Sequence, residues 1–284
     1  MTPSELVLRA TWGGRVDSRV RQAAMVWDCW QRLAALGGFF ARGWYSAQTK
    51  PNQIIPVSSL AILEADITRT CYAGHGGFYA FIQSAGELRY DEMPPHMSIT
   101  VSVAGCEGGN RMAANRVVVD MQVGEKARLK DPLPFDWLLG IGPQLVKDFV
   151  DVWQPDAVSL DSFDLVKLNP HKGSAHPVVG YFTWLGPLVA EPATLPDTPV
   201  REAYAGGTLF GIEPATPDPV GDATAIAVPL YESGVLNPIP FIQGQPNSPK
   251  TIPSINPDPG HHVPGRIMAK VKSVLGSIGR RLAR

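Results

Sequence analysis

Residues 138–161, LLGIGPQLVKDFVDVWQPDAVSLD, decide the fold that this sequence predicts. The apolar residues that recur there at helical spacing and form one stripe are Leu145, Phe149, Val152 and Trp153. Pro155 ends this helix because it lacks an N–H and disfavours a helical residue before it. Residues 157–160, AVSL, then predict a short strand. A helix that leads straight into a strand needs a sheet to pack on, and the rest of the chain must supply that sheet.

Alternating and β-branched runs elsewhere predict the strands of this sheet. The runs are 6–10, 78–83, 98–103, 116–121, 178–185 and 208–212. Helical spacing and capping residues predict two further helices, one from Asp17 or Ser18 to Gly37 and one from Ser58 or Ser59 to Arg69. Val20 belongs to the apolar stripe of the first and Leu60 to that of the second. The predicted class is α+β, a mainly antiparallel sheet packed by two or three helices.

The C-terminal part of the chain has a different composition. Sixteen of the 27 prolines lie between Pro187 and Pro264, and segments this rich in proline do not form regular helix or central strand. We therefore predict an α+β domain over residues 1–213 and an extended Pro-rich arm over 214–264, within which residues 223–230 stay open as an edge strand. Residues 265–284 predict a basic amphipathic helix.

The formal net charge of −1 is unevenly distributed. Residues 265–284 carry six basic residues and no acidic one, which leaves 19 basic against 26 acidic residues and a charge of about −7 on the remainder. Because affinity for nucleic acid comes mainly from neutralising phosphates, this composition argues against direct nucleic-acid binding. It favours a basic partner protein.

Motifs for cofactors, metals and nucleophilic catalysis are not found. Three scattered cysteines do not form a disulfide framework or a zinc knuckle, and Cys29 is predicted to be buried. His171 and His176 lack the spacing of a metal motif and are expected to be solvated. No GxSxG elbow or Walker A loop occurs. Without a basic n-region or an apolar run of membrane-spanning length, the expected compartment is the cytoplasm.

Five aspartates lie within seventeen residues and form the candidate binding set: Asp148, Asp151, Asp156, Asp161 and Asp164. Asp148 and Asp151 lie off the apolar stripe of their helix, beside Lys147. One interpretation is a solvated acidic face, and it is favoured over a carboxylate pair for hydrolysis because perturbed acid pairs need burial. A third interpretation is an acidic surface that binds a partner.

Large aromatic residues are mainly expected in the core, but two follow the first helix in an aromatic connector. These are Trp44 and Tyr45, in FFARGWY. Because aromatic side chains on loops can anchor protein interfaces, we take both as candidate contacts for a partner.

Several segments, taken in order, resemble the immunity protein 52 family of bacterial polymorphic-toxin systems. The matching segments between residues 5 and 213 are LVLRATWGGR, FFARGWY, GGFYAFIQ, NRVVVDM, LVKDFVDVWQPD, VVGYFTWLG and AGGTLFGIEP. The order and spacing of Trp-Gly, Trp-x-Pro-Asp and Gly-Gly carry the resemblance. The Pro-rich arm and the basic helix lie outside it.

The resemblance implies a cytoplasmic protein that neutralises a cognate toxin. Partners of such proteins are typically restriction-endonuclease-like nucleases, often delivered by type VI secretion. It supplies no catalytic motif and no contact residues to carry over. The five aspartates, with Trp44 and Tyr45, therefore stay candidates from the sequence alone.

We expect a non-enzymatic antitoxin that binds a nuclease, either by covering its cleft or by blocking its self-association. An acidic protein would be attracted to the basic cleft of a nuclease, which raises the association rate. Two alternatives stay open: a hydrolase with carboxylates of opposing environment, and an adaptor that docks on a membrane or a partner through residues 265–284.

Overall fold

One ten-stranded sheet organises the residues that the structure, a computed structural model, describes. Those residues are 3–13, 17–37, 40, 44–46, 55–70, 77–83, 97–103, 115–123, 133–171 and 176–239. The strands are β1 (Glu5–Trp12), β2 (Trp44–Ser46), β3 (Ile55–Pro56), β4 (Gly77–Gln83), β5 (Met97–Val103), β6 (Asn115–Gln122), β7 (Ala157–Asp161), β8 (Phe182–Leu185), β9 (Val200–Tyr204) and β10 (Gly207–Gly211). Their order is β3-β2-β4-β5-β6-β1-β7-β8-β10-β9. Each neighbouring pair is antiparallel, which confirms the predicted α+β class with an antiparallel sheet.

The helices outnumber those predicted. The described residues form α1 (Arg19–Ala35), α2 (Leu60–Thr70), α3 (Phe135–Gly140), α4 (Gly142–Trp153), α5 (Phe163–Leu168) and α6 (Pro219–Ser233). Ser18 caps α1 as predicted, since its Oγ accepts a hydrogen bond from the Arg21 amide at 3.2 Å. The apolar stripes of α1 and α2 are only partly as predicted. Val20 and Leu60, each assigned to the buried stripe of its helix, are both exposed. Cys29 is buried in α1, as predicted.

The stretch from α4 to β7 has the predicted structure. All four apolar residues of its stripe are buried. Gln154 adopts a left-handed conformation (φ 45°) at the end of α4, and Pro155 follows it. Strand β7 then pairs with β1 on one side and β8 on the other, so it is fully enclosed. The ring of Trp153 stacks on that of Trp12 at 5.6 Å, which joins α4 to β1.

The two faces of the sheet differ in character around β1. Leu6, Leu8, Ala10 and Trp12 belong to the main hydrophobic cluster, together with buried residues of α1 to α4. We call this side the helical face. The residues in between point to the opposite face because side chains alternate along a strand. Glu5 and Arg9 are two of them, so this opposite face carries charge near the centre of the sheet.

A second hydrophobic cluster lies under α6. The structure of this region corrects the predicted Pro-rich arm. Residues 219–233 form a helix, so the extended arm predicted from 214 onward is wrong there, as is an edge strand at 223–230. Ala227, Leu230 and Tyr231 of α6 pack in the cluster that includes Leu185 and Phe210 of the sheet.

Capping chemistry explains where this helix begins and ends, and Pro229 lies inside it. Pro219 occupies the first turn, where its missing N–H costs nothing. Asp218 caps that turn, since its Oδ1 accepts from the Gly221 amide at 3.1 Å. Gly234 (φ 70°) ends α6 in a left-handed conformation. The rest of the predicted arm, from residue 240, and the predicted basic helix over 265–284 lie outside the described residues.

Candidate functional site

The sheet separates the five aspartates that the sequence places together. Asp148 and Asp151 lie on α4, Asp156 precedes β7, Asp161 ends β7, and Asp164 begins α5. Asp148 and Asp151 share a partner, which is the guanidinium of Arg32. A hydrolytic site built from this set would need two of the carboxylates to face one cleft, and the described structure instead divides them among different surroundings.

Asp148 and Asp151 meet α1 at Arg32. Nη1 of Arg32 lies 3.1 Å from Oδ2 of Asp151 and 3.5 Å from Oδ1 of Asp148. Nε of the same guanidinium lies 3.3 Å from Oδ2 of Asp28, one turn earlier in α1. One cation therefore bridges three carboxylates from two helices that are far apart in sequence.

Asp148 is more enclosed than its position off the apolar stripe predicts. It is buried, and it accepts a hydrogen bond from Nε2 of Gln144 at 3.0 Å. Burial raises the pKa of Asp148, while Gln144 and Arg32 act in the opposite direction. Its neighbour Asp151 keeps more than a third of its side chain exposed, at 38%. Asp151 is thus the carboxylate of this pair that a partner can reach.

Edge strand β9 extends the same surface. The hydroxyl of Tyr204 donates to Oδ1 of Asp151 at 2.8 Å. Nζ of Lys147 lies 2.6 Å from Oε2 of Glu202 and 5.3 Å from the centre of the Tyr204 ring. The pKa of Tyr204 is raised to about 12 by burial and by the hydrogen bond to Asp151, so the hydroxyl keeps its proton at neutral pH.

We call this set of residues from α1, α4 and β9 the acidic edge. Its members are Asp28, Arg32, Lys147, Asp148, Asp151, Glu202 and Tyr204. Four carboxylates face two cations, which leaves a formal charge of −2. Asp28 and Glu202 are about half exposed, with 52% and 48% of their side chains accessible. A cation on a partner protein would therefore find carboxylate oxygens that the internal pairs leave accessible.

Asp161 lies on the opposite face of the sheet and is fully buried. Arg9 binds it through two contacts of 3.2 Å, and the hydroxyl of Ser159 donates to it at 2.7 Å. Burial raises the pKa of Asp161, while Arg9 and Ser159 oppose the rise. A residue enclosed in this way cannot steer a partner, so Asp161 leaves the candidate binding set.

The same face holds charged residues that the sequence analysis missed. Glu5 and Asp120 interact there across β1 and β6, and the pKa of Glu5 is raised to about 7, first by burial and then by Asp120. Arg116 lies on the same side of β6, and burial lowers its pKa. Arg116 and Asp120 are four residues apart in a predicted strand, and this even spacing was the sequence signal that could have placed them on one face.

Asp156 and Asp164 have separate local roles. Oδ2 of Asp156 accepts from the Gly13 amide at 2.9 Å, and its own amide donates to the carbonyl of Thr11 at 2.9 Å. Asp156 thus fixes the end of β1 to the start of β7. Asp164 is exposed and pairs with Lys167 at 2.9 Å within α5, away from the acidic edge.

The aromatic candidates do not lie on a loop, which corrects the prediction. Trp44 begins strand β2 and is buried, with 6% of the residue exposed. Its ring stacks on Trp30 of α1 at 4.8 Å with the planes 7° apart. Trp44 is therefore a core residue. The backbone of Tyr45 belongs to β2, whereas its side chain lies outside what the structure describes.

Two histidines that follow α5 lie against each other. The rings of His171 and His176 stack at 4.4 Å, and burial with the neighbouring His171 lowers the pKa of His176. Among the described residues, no group of three or more His, Cys, Asp or Glu side chains is placed to hold a metal ion. Within those same residues, none of the helices has both the length and the apolar character to cross a membrane.

Comparison with known proteins leaves the family open. No protein-family model and no curated protein matches the chain. Among solved structures, it is similar to the Pseudomonas aeruginosa T6SS protein PA0821, with 13% sequence identity and a TM-score of 0.42. That match covers 72% of this chain and 67% of the other. A likeness at this level assigns neither a family nor a function.

Proposed function

We propose that this chain is an immunity protein that binds and neutralises a cognate nuclease toxin in the bacterial cytoplasm. The sequence segments that resemble the immunity protein 52 family support a toxin-neutralising role. The acidic edge is the structural observation that carries the proposal, because it offers exposed carboxylates from α1, α4 and β9 on one surface. A toxin delivered by type VI secretion is the partner class that the resemblance implies.

Charge explains why such a surface suits a nuclease. A nuclease needs a basic cleft to hold phosphates, and an acidic surface is attracted to the same groups. The charge of about −7 over residues 1–264 adds a long-range component to this attraction. We favour inhibition by covering the cleft, since the acidic edge can replace phosphates there.

The two modes of inhibition, covering the cleft and blocking toxin self-association, predict different outcomes when DNA is added to the nuclease together with this chain. The test uses the nuclease domain encoded in the neighbouring reading frame, inactivated at its catalytic residues, and this chain at full length. If the cleft is covered, a DNA duplex competes with this chain for the nuclease, and the competition weakens as salt rises. If self-association is blocked, the duplex and this chain bind together and the nuclease becomes monomeric.

Co-expression tests the proposed function itself. Cells that produce the active nuclease together with this chain should survive, while cells that produce the nuclease alone should die. Death at the same rate in both cultures, with both proteins present at comparable levels, would rule out an immunity role towards that toxin. Turnover of a substrate by the purified chain would instead favour the hydrolase hypothesis.

A further inference from the structure

Among the residues that the structure describes, strand β9 is one of the two edge strands of the sheet. In that part of the chain it pairs with β10, through a two-residue turn at Ala205 (φ 47°) and Gly206 (φ 79°). In such a hairpin the residues next to the turn, Tyr204 and Gly207, form a hydrogen-bonded pair. Because the pattern alternates, the amide and carbonyl groups of Arg201 and Ala203 point away from β10.

The residues that carry these outward groups lie at the surface. Arg201, Glu202 and Ala203 are all exposed. Within the described part of the chain, no other backbone group is hydrogen-bonded to the amides or carbonyls of Arg201 and Ala203. The other end of the sheet differs, since β3 contains Pro56, which has no N–H to donate to a further strand.

The acidic edge adjoins this free strand edge on the helical face. Tyr204 packs against the main hydrophobic cluster and Glu202 pairs with Lys147 of α4, so both side chains lie on that face. Arg201 and Ala203 alternate with them and lie on the other face. An added antiparallel strand would place the residue opposite Glu202 in a close, non-hydrogen-bonded pair, where cross-strand side chains interact most directly.

We propose that the toxin docks on β9 by strand addition, contributing an extended segment with a Lys or Arg opposite Glu202. This inference rests on the proposed function and names the element that the partner binds. The outward groups of Arg201 and Ala203 would supply about four backbone hydrogen bonds, as two hydrogen-bonded pairs of an antiparallel ladder. Backbone pairing provides affinity, and the acidic edge selects a basic segment.

Charge argues against a second copy of this chain as the occupant. Two β9 strands paired antiparallel are related by an axis perpendicular to the sheet, so both helical faces would lie on the same side. The two acidic edges would then be neighbours, with Glu202 side chains of like charge near the junction. Like charges across a strand pair are destabilising. A basic segment meets the same carboxylates favourably.

The matched variants are Ala203→Pro and Ala203→Thr. Proline removes the outward N–H of residue 203 without touching a hydrogen bond to β10, and its ring obstructs an incoming strand. Threonine retains the N–H and suits a strand. With the inactivated nuclease domain of the neighbouring reading frame as probe, Ala203→Pro should raise the Kd about tenfold or more, while Ala203→Thr leaves it within about twofold.

Hydrogen exchange of the unmodified chain gives a second measurement that does not depend on the proline variant folding. The Arg201 and Ala203 amides should exchange rapidly in the free chain and slowly in the complex. If the complex forms but Ala203→Pro binds as tightly as wild type, or these amides stay unprotected, docking on β9 is wrong and the immunity role still stands. If wild type does not bind the nuclease, both proposals fail. Protection that grows with chain concentration in the absence of nuclease would assign β9 to self-association instead.

Discussion

Arg9 and Asp161 form a two-point ion pair across β1 and β7. Nε of Arg9 lies 3.2 Å from Oδ2 of Asp161, and Nη2 lies 3.2 Å from Oδ1. The carboxylate has no exposed surface, whereas a fifth of the Arg9 side chain is accessible. The register places Arg9 beside Ser159 and Val7 beside Asp161, so the pair is diagonal. It holds the first strand of the chain to a strand about 150 residues later.

Removing the carboxylate should destabilise the protein. Asp161→Ala leaves the guanidinium of Arg9 partly buried without its counter-ion, a change that typically costs about 3 to 5 kcal/mol. We expect a value near 3 kcal/mol because Arg9 reaches water. Urea unfolding followed by tryptophan fluorescence measures it. The double variant Arg9→Met with Asp161→Leu should recover much of the lost free energy of unfolding. If Asp161→Ala alone lowers the free energy of unfolding by less than about 1 kcal/mol, the ion pair is not a strong one.

The stability of the protein should depend on the protonation of Glu5. Its pKa is raised from 4.5 to about 7 by burial, by Asp120 and by Asp161. Between these pH values the folded state keeps a proton that the unfolded state has lost, so the free energy of unfolding falls as the pH rises. Glu5→Gln removes this loss. Above pH 7 the variant should be more stable than wild type by about 1 to 2 kcal/mol, a value reduced for the partial exposure of Glu5.

The measurement is urea unfolding of both proteins at pH 4.5 and at pH 8. Near pH 4.5 the two should differ little, because wild-type Glu5 is then protonated in the folded state. Asp164→Asn serves as control, since Asp164 is exposed and pairs only within α5. A constant difference between Glu5→Gln and wild type across the pH range would show that the pKa of Glu5 is the same in the folded and unfolded states.

The sheet strands were predictable where alternation was strong. MSITVSV and NRVVVDMQ alternate or run β-branched in the sequence, and both are strands. VREAY has no such pattern, because β9 lies at the edge and its side chains are mostly exposed. The turn signal Ala205-Gly206 was present, but a single glycine-containing turn does not identify a strand on its own.

The candidate site was less predictable than the fold, for a geometric reason. Asp148 and Asp161 are close in sequence, but the chain passes between them from a helix on one face into a strand whose last side chain points to the other face. The partners that define the acidic edge are distant in sequence instead. Arg32 is 119 residues from Asp151, and Tyr204 is 53 residues from it. Local spacing cannot reveal such pairs.

Within the proposed function, Asp151 should accelerate toxin binding. Asp151→Asn removes one exposed charge from the acidic edge and retains an oxygen that can accept from Tyr204. We expect the association rate constant with the inactivated nuclease to fall about threefold at low salt, because steering depends on the charge of the partner surface. Stopped-flow fluorescence at two salt concentrations measures it, and the difference should shrink at high salt.

Asp164→Asn is the matched control for steering. It removes the same charge from α5, where Asp164 pairs with Lys167 and lies outside the acidic edge. If both variants slow association equally, the overall charge of the chain steers the encounter and the acidic edge has no special role. If neither slows it, electrostatic steering of this partner is wrong.

Trp44 should contribute to stability and not to partner binding. Its stack on Trp30 is nearly parallel and joins β2 to α1, and the Trp44 carbonyl accepts from the Val57 amide at 2.8 Å. Trp44→Ala should lower the free energy of unfolding by about 3 to 5 kcal/mol, since a large buried side chain leaves a cavity. Trp44→Phe keeps an aromatic ring in the site and should lose less.

Binding separates a core residue from an interface anchor. When the concentration of folded protein is matched by near-ultraviolet circular dichroism, Trp44→Phe should bind the inactivated nuclease with the wild-type Kd. An anchor behaves in the opposite way, because its truncation weakens the complex by 2 kcal/mol or more, about thirtyfold in Kd, without a comparable loss of stability. A thirtyfold weaker complex with unchanged unfolding would therefore return Trp44 to the interface, and would require β2 to open from α1 when the partner binds.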